Sequence, residues 1–275
     1  MGSPLLLDEI LAPGGLRIVL QPIYRVRPDR SFELLALECL TRGPEGSTVE
    51  RPDILFEYVR RKRREEVVDR AVVKTVLETV RELPSTLRFS VNVHASSLGR
   101  QDGFVSELIA MAEESDFDLE RLVVEVVEHT PYLDRGIYLH SLERLREHGA
   151  RIALDDLGLG QSNFRMILDT APDLLKLDSY LVRGCGDQPG RRAVLESIAL
   201  LGDRLGAGVV AEGVEEPSEL RTVLNLGIDG IQGFLLSGPV APDCASSLAA
   251  SPPEVPLPRG SWTSGPLLLA AGEDR

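Results

Sequence analysis

RIVLQPIYRV, residues 17–26, is a short, mostly apolar run that reads as a β-strand, and the residues immediately after it decide the fold. An open doubly wound sheet would lead one to expect a glycine-rich phosphate loop after its first strand. Here RPDRS, residues 27–31, leads directly into a second strand pattern, FELLALECL, residues 32–40. Five residues are too few for a crossover helix, so the two strands are expected to form an antiparallel hairpin.

Beyond the hairpin, short apolar runs alternate with amphipathic stretches. RFSVNVHA (88–95), RLVVEVVEHT (121–130), RIALDDLG (151–158), DLLKLDSYL (173–181), GVVAEGV (208–214) and GIQGFLL (230–236) read as strands. Helical patterns lie between them, including one long one from Pro52 to Val80 and others at 104–115, 141–150, 191–207 and 217–227. Strands alternating with helices imply a parallel sheet covered by helices. Eight strands without an internal linker fit one closed (β/α)8 barrel of the TIM type, which usually takes about 250 residues. A leader at 1–15, a barrel at 16–248 and a Pro/Gly-rich tail at 249–275 are the expected segments.

The bulk numbers narrow the function. A formal charge of −13 argues against sequence-independent binding of duplex nucleic acid, which needs a basic face. The densest basic run, Arg60 to Arg64, precedes Glu65 and Glu66 and reads as a solvated helix face. No apolar run is long enough to span a bilayer, and the N-terminus lacks a secretory signal. Cys39, Cys185 and Cys244 are far apart and odd in number, so neither a disulfide framework nor a cysteine zinc site is expected. The reading is a cytoplasmic protein.

Residues two apart on a strand share a face. On one face the strands carry Gln21, Glu38, Asn92, Glu125, Asp155, Lys176, Glu212 and Gln232, each read as lying near a C-terminal strand end. Barrel interiors are normally bulky and apolar, and functional groups gather at the C-terminal rim. Crowded carboxylates in a partly buried cleft need a counter-charge. Oxygen ligands without a Cys or His cluster select a hard cation such as Mg2+, Mn2+ or Ca2+. Asp155 with Asp156 beside it would suit two ions, an arrangement used for phosphoryl chemistry. Lys176 would orient a nucleophilic water or neutralise developing charge. His94, His129, His140 and His148 show no zinc spacing and read as structural or solvent-facing.

From about Leu20 to Pro239 these motifs resemble the EAL-domain cyclic di-GMP phosphodiesterases, bacterial signalling enzymes built on a (β/α)8 barrel. QPI, ECLTR, SVNVHAS, EVVEHT, LDDLGLG, LLKLD, VVAEGVE and DGIQGFLLSGPV match the family's motifs in order. The resemblance implies hydrolysis of one phosphodiester of cyclic di-GMP to linear pGpG. It implies Glu38, Asn92, Glu125 and Asp155 as ligands of one metal. Asp155 would bridge to a second ion supported by Asp156 and Glu212. Mg2+ or Mn2+ is the implied cofactor, with Ca2+ inhibitory. Lys176 would position or help deprotonate the attacking water. Gln21, Arg42 and Gln232 would contact the dinucleotide, and Glu128 would anchor the loop after the two aspartates. A homodimer through the segment around Gln161 to Ile167 is also implied.

The sequence departs from the family at Cys39, which replaces an alanine, and in the loop. Leu157 stands for a phenylalanine, Leu159 for a threonine, Gln161 for an aromatic residue and Val127 for the threonine beside Glu128. The ligand set is complete and the loop is altered, so slow hydrolysis is expected. A cyclic di-GMP receptor that barely turns over remains the alternative. A glycosidase barrel has the right fold and acid pairs. It is disfavoured because Asn92 and Lys176 serve metals better than an oxocarbenium ion, and because 5% aromatic residues leave few platforms for sugar stacking.

Overall fold

In the computed structural model, residues 6–251, 253 and 255 are described, apart from 28, 30, 101–102, 128–133, 159–163 and 229. The strands are β1 (Arg17–Val26), β2 (Phe32–Arg42), β3 (Phe89–His94), β4 (Leu122–Val127), β5 (Arg151–Leu157), β6 (Leu174–Leu177), β7 (Gly208–Ala211) and β8 (Gly230–Ile231). The helices are α1 (Leu6–Leu11), α2 (Pro52–Lys62), α3 (Glu65–Val80), α4 (Ala95–Leu98), α5 (Phe104–Glu114), α6 (Arg135–Glu147), α7 (Phe164–Thr170), α8 (Ser179–Val182), α9 (Pro189–Leu205), α10 (Pro217–Asn225) and α11 (Ala245–Ala250).

The strands close into a barrel in sequence order. β1 runs antiparallel to both β2 and β8, and every other neighbour pair is parallel. The expected hairpin is therefore present. Its register sets Gln21 opposite Glu38 and Arg17 opposite Arg42. Because β1 is reversed, its first residues, not its last, reach the rim formed by the other strands' C-terminal ends. Gln21 thus lies mid-strand, contrary to the sequence reading of a C-terminal position.

A small apolar cluster of Ile23, Leu35, Ala36, Val123, Ala153, Leu174 and Val210 is buried separately from the main core. Ala36, Val123, Ala153, Leu174 and Val210 each precede a polar rim residue by two positions, so they form the floor beneath the rim. The larger core includes strand residues such as Leu37, Val91 and Val124 together with Val68, Val72 and Val76 of α3.

Three expectations change in detail. The stretch from Pro52 to Val80 is two helices, because Arg63 adopts φ 52° and ends α2. GIQGFLL contributes only two strand residues. Gly233 turns away at φ 158°, where a Cβ would lie 2.1 Å from the carbonyl oxygen of Val214. Within the expected leader, α1 buries Ile10 in the core.

Candidate active site

The inward residues two positions above the apolar floor meet around one ammonium group. Lys176 Nζ donates to Glu125 Oε2 at 2.6 Å. It also lies 2.6 Å from Glu212 Oε1, 3.3 Å from Glu38 Oε2 and 3.4 Å from Asp155 Oδ1. Lys176, Glu38, Glu125 and Asp155 are all buried. A lysine is sealed from water only when its charge is compensated, and here four carboxylates from β2, β4, β5 and the end of β7 compensate it.

Amides order the rest of the ring. Asn92 Nδ2 donates to Glu38 Oε1 at 2.9 Å, and Gln232 Nε2 donates to Glu38 Oε2 at 2.6 Å. Gln232 Nε2 also reaches Gln21 Oε1 at 3.3 Å, while Gln21 Nε2 donates to the carbonyl of Ser237 at 3.3 Å. Gln232 is buried, so in this structure it acts on Glu38 rather than facing solvent.

Asp156 reaches the same rim by a backbone irregularity. The β5–β6 register shifts between Leu154 and Leu157, and Asp156 adopts φ 57°. Strict alternation would send neighbours to opposite faces. The bulge instead brings both aspartates to one cleft of about 200 Å3, shared with Cys39, Arg42, Phe56, Arg60, Asn92, His94 and Val127. Aspartate tolerates the left-handed conformation better than most residues.

Electrostatics shows how overloaded the rim is. Burial, with Glu38 nearby, pushes the Glu125 carboxyl up to about 8. Burial and the Asp155 charge push Asp156 up to about 7. Burial also drives Glu212 well upward. Burial alone would raise Glu38 too, but Lys176, Gln232 and Asn92 more than offset it and hold that carboxyl low. Burial favours the neutral form of Lys176, and Asp155, Glu125, Glu212 and Glu38 reverse this so that its pKa rises. The rim carries more carboxylate than one ammonium can neutralise.

The donor chemistry fits a hard divalent cation: every candidate ligand offers oxygen. Asn92 Oδ1 is buried without a hydrogen-bond partner among the described residues. No three acidic, histidine or cysteine side chains among the described residues stand as a ready cage, since the lysine ammonium lies between the acids.

The structure therefore gathers Glu38, Asn92, Glu125, Asp155, Asp156, Lys176 and Glu212, with Gln21 and Gln232 packed behind Glu38. Arg42 lines the cleft and donates from Nη1 to the carbonyl of Thr41 at 3.1 Å. Glu128 and Gln161 fall outside the described residues. Sequence reasoning missed Arg60, which lines the cleft instead of sharing a fully solvated basic face. The spacing of Phe56 and Arg60, i and i+4, was the available signal. His94 is structural as expected, with Nδ1 2.9 Å from Asp69 Oδ1.

The EAL domain family profile matches residues 6–239. A cyclic di-GMP phosphodiesterase of Pseudomonas aeruginosa, PA2567, is 31% identical over 177 residues, covering 64% of this chain and 30% of that protein. BlrP1 of Klebsiella pneumoniae, solved as a calcium and cyclic di-GMP complex at pH 8.0, is 26% identical with a TM-score of 0.72. That alignment covers 87% of this chain and 58% of BlrP1's. The manganese and cyclic di-GMP complex of the same protein at pH 9.0 is 27% identical, TM-score 0.71, over 83% and 57%. This chain thus spans less than a third of PA2567. With the reversed first strand, the acid rim and a profile match over most of its length, the chain belongs to the EAL domain family.

Proposed function

We propose that this protein is a divalent-metal-dependent phosphodiesterase that hydrolyses one phosphodiester of cyclic di-GMP, giving pGpG. The observation that carries the reading is the meeting of Glu38, Asn92, Glu125, Asp155 and Glu212 at one rim around a buried cation. Kinship with PA2567 and BlrP1 supports the choice of substrate.

Glu38, Asn92, Glu125 and Asp155 would hold one ion, and Asp155, Asp156 and Glu212 a second. Mg2+ or Mn2+ there would lower the pKa of water and draw charge from the phosphoryl oxygens. The chain's own part is positional and electrostatic. Lys176, set among these acids, positions the attacking water or helps to deprotonate it, and faces developing negative charge. Arg42 holds a phosphate oxygen at the cleft wall. Gln232, Gln21 and Asn92 fix the Glu38 carboxylate, so less reorganisation is needed when substrate arrives. The water oxygen bonds to phosphorus as the bond to the 3′ oxygen breaks; the water loses one proton and the 3′ oxygen gains one, so that one water is added across the bond.

Incubation with cyclic di-GMP and Mg2+ or Mn2+, followed by chromatography, tests the proposal: pGpG should accumulate only with metal. The rival reading, a receptor with little turnover, rests on the altered sequence around the aspartate pair, Val127, Leu157, Leu159 and Gln161. It predicts cyclic di-GMP recovered intact.

The protein is further proposed to be a homodimer. Phe164 and Leu168 of α7 are 74% and 72% exposed. Phe164 also lines an apolar groove of about 730 Å3 with Leu157, Ile167, Leu181, Val194 and Leu201. Among the described residues no helix is long and apolar enough to cross a membrane. A cytoplasmic location belongs to the same reading, because a doubly charged dinucleotide messenger does not cross a bilayer unaided.

A further inference from the structure

Helix α2 sends Phe56 and Arg60 into the cleft, while Leu55 and Val59 bury an adjacent helix face. Among the described residues, Arg60 is one of two guanidinium groups lining the cleft, the other being Arg42. Its carboxylate contact is Glu57 Oε2 at 3.0 Å, one turn back on the same helix. Glu57 is half-exposed and shared, since Arg61 Nε takes its other oxygen at 2.7 Å. Such a surface pair is weak and easily exchanged.

The base of this wall is rigid. His94, 5% exposed, lies with its ring centroid 5.8 Å from that of Phe56. Asp69 accepts from the His94 backbone N–H at 3.0 Å and from the Ser97 hydroxyl at 2.6 Å, and it faces Nδ1 of the ring. Asp155 and Asp156 line the same cleft. In a chain of net charge −13, the cleft therefore combines two arginines, which attract anions, with two aspartates, which attract cations.

We infer that Arg60 is a second phosphate-binding arginine of the substrate cleft, holding the phosphodiester of the cyclic dinucleotide that is not being hydrolysed. This rests on the cyclic di-GMP reading above. A cyclic dinucleotide carries two anionic diesters on one ring; one goes to the acid rim beside Arg42, and the other needs a counter-charge of its own. A planar guanidinium fork is suited to two phosphate oxygens at once.

Calorimetry of cyclic di-GMP binding in Ca2+, repeated over a salt series, tests this with the parent, Arg60→Ala and Arg60→Lys. Arg60→Ala should weaken binding about tenfold or more, as loss of a charge-assisted hydrogen bond does. Its affinity should also fall less steeply with added salt than the parent's, because one charge pair is gone. Arg60→Lys should keep the parent's slope and recover part of the affinity. In turnover assays KM should rise much more than kcat falls. Parent-like affinity and slope in Arg60→Ala overturn the inference, as does a fall in kcat with KM unchanged. A parent protein that binds no cyclic di-GMP overturns the functional reading itself, and this inference with it.

Discussion

Lys176 Nζ lies 2.6 Å from Glu125 Oε2, with both side chains sealed inside the barrel mouth. Lysine is thus the internal counter-ion of the acid rim. Removing one partner of a buried ion pair costs about 3–5 kcal/mol, because the other charge is left uncompensated. We expect metal-free Lys176→Met to melt well below the parent. Mn2+ should restore a much larger share of its stability, and turnover should be lost while dinucleotide binding largely persists. Calorimetric melts with and without Mn2+ check the first two points. Coincident metal-free melts would remove lysine from this role.

Stability of the metal-free protein should depend on pH near neutrality. Glu125 and Asp156 titrate at about 8 and about 7, above the range of an unfolded carboxylate. Each therefore binds its proton more tightly when folded. The stability they lend is complete below the unfolded carboxylate range and is lost as pH rises through about 7 and then about 8. The metal-free melting temperature should fall across that window, and added metal should flatten the fall and release protons. A melt series in several buffers decides it; a flat or rising profile contradicts the assignment.

Asp156 adopts φ 57° beside another aspartate. A non-glycine residue held there carries strain on the order of 1 kcal/mol or more, and glycine would return part of that gain through its freer unfolded chain. Asp156→Gly should make the metal-free protein modestly more stable above about pH 7, where like charge also matters. The same change should cost most of the hydrolysis. Urea titration beside product chromatography would show stability and activity moving in opposite directions, and loss of both would place Asp156 in the framework of the fold.

Leu168 and Phe164 occupy i and i+4 of α7 and are largely exposed. If this face joins two copies, Leu168→Glu introduces a charge that must be desolvated in the interface. Sedimentation should find the parent as a dimer and the variant as a monomer with an unchanged melt at low concentration. A parent that sediments as a monomer at micromolar concentration would discard the interface.

Much of the site was legible because a strand's period of two is rigid. Ala36 below Glu38, Val123 below Glu125, Ala153 below Asp155 and Leu174 below Lys176 form one repeated step from apolar floor to polar rim. Where the backbone leaves that period, the sequence misleads. Asp156 joins Asp155 only through a bulge, which no alternation rule contains. Arg60 was hidden in a run of five basic residues, of which Arg61, Lys62, Arg63 and Arg64 are exposed. Nor does a sequence say that Lys176 turns its charge into the acids, since that depends on how closely four strands converge.

The reversal of β1 has a consequence for how the barrel can be joined to anything else. In a barrel whose strands all run the same way, the chain enters at the face away from the chemistry. Here Arg17 begins β1 level with Arg42, at the mouth, and Ile10 of α1 is already packed into the core a few residues earlier. The chain that runs into β1 therefore reaches it beside the substrate entrance, not beneath the floor. Bulk, charge or motion introduced just ahead of Arg17 would have only a short path to the reacting groups.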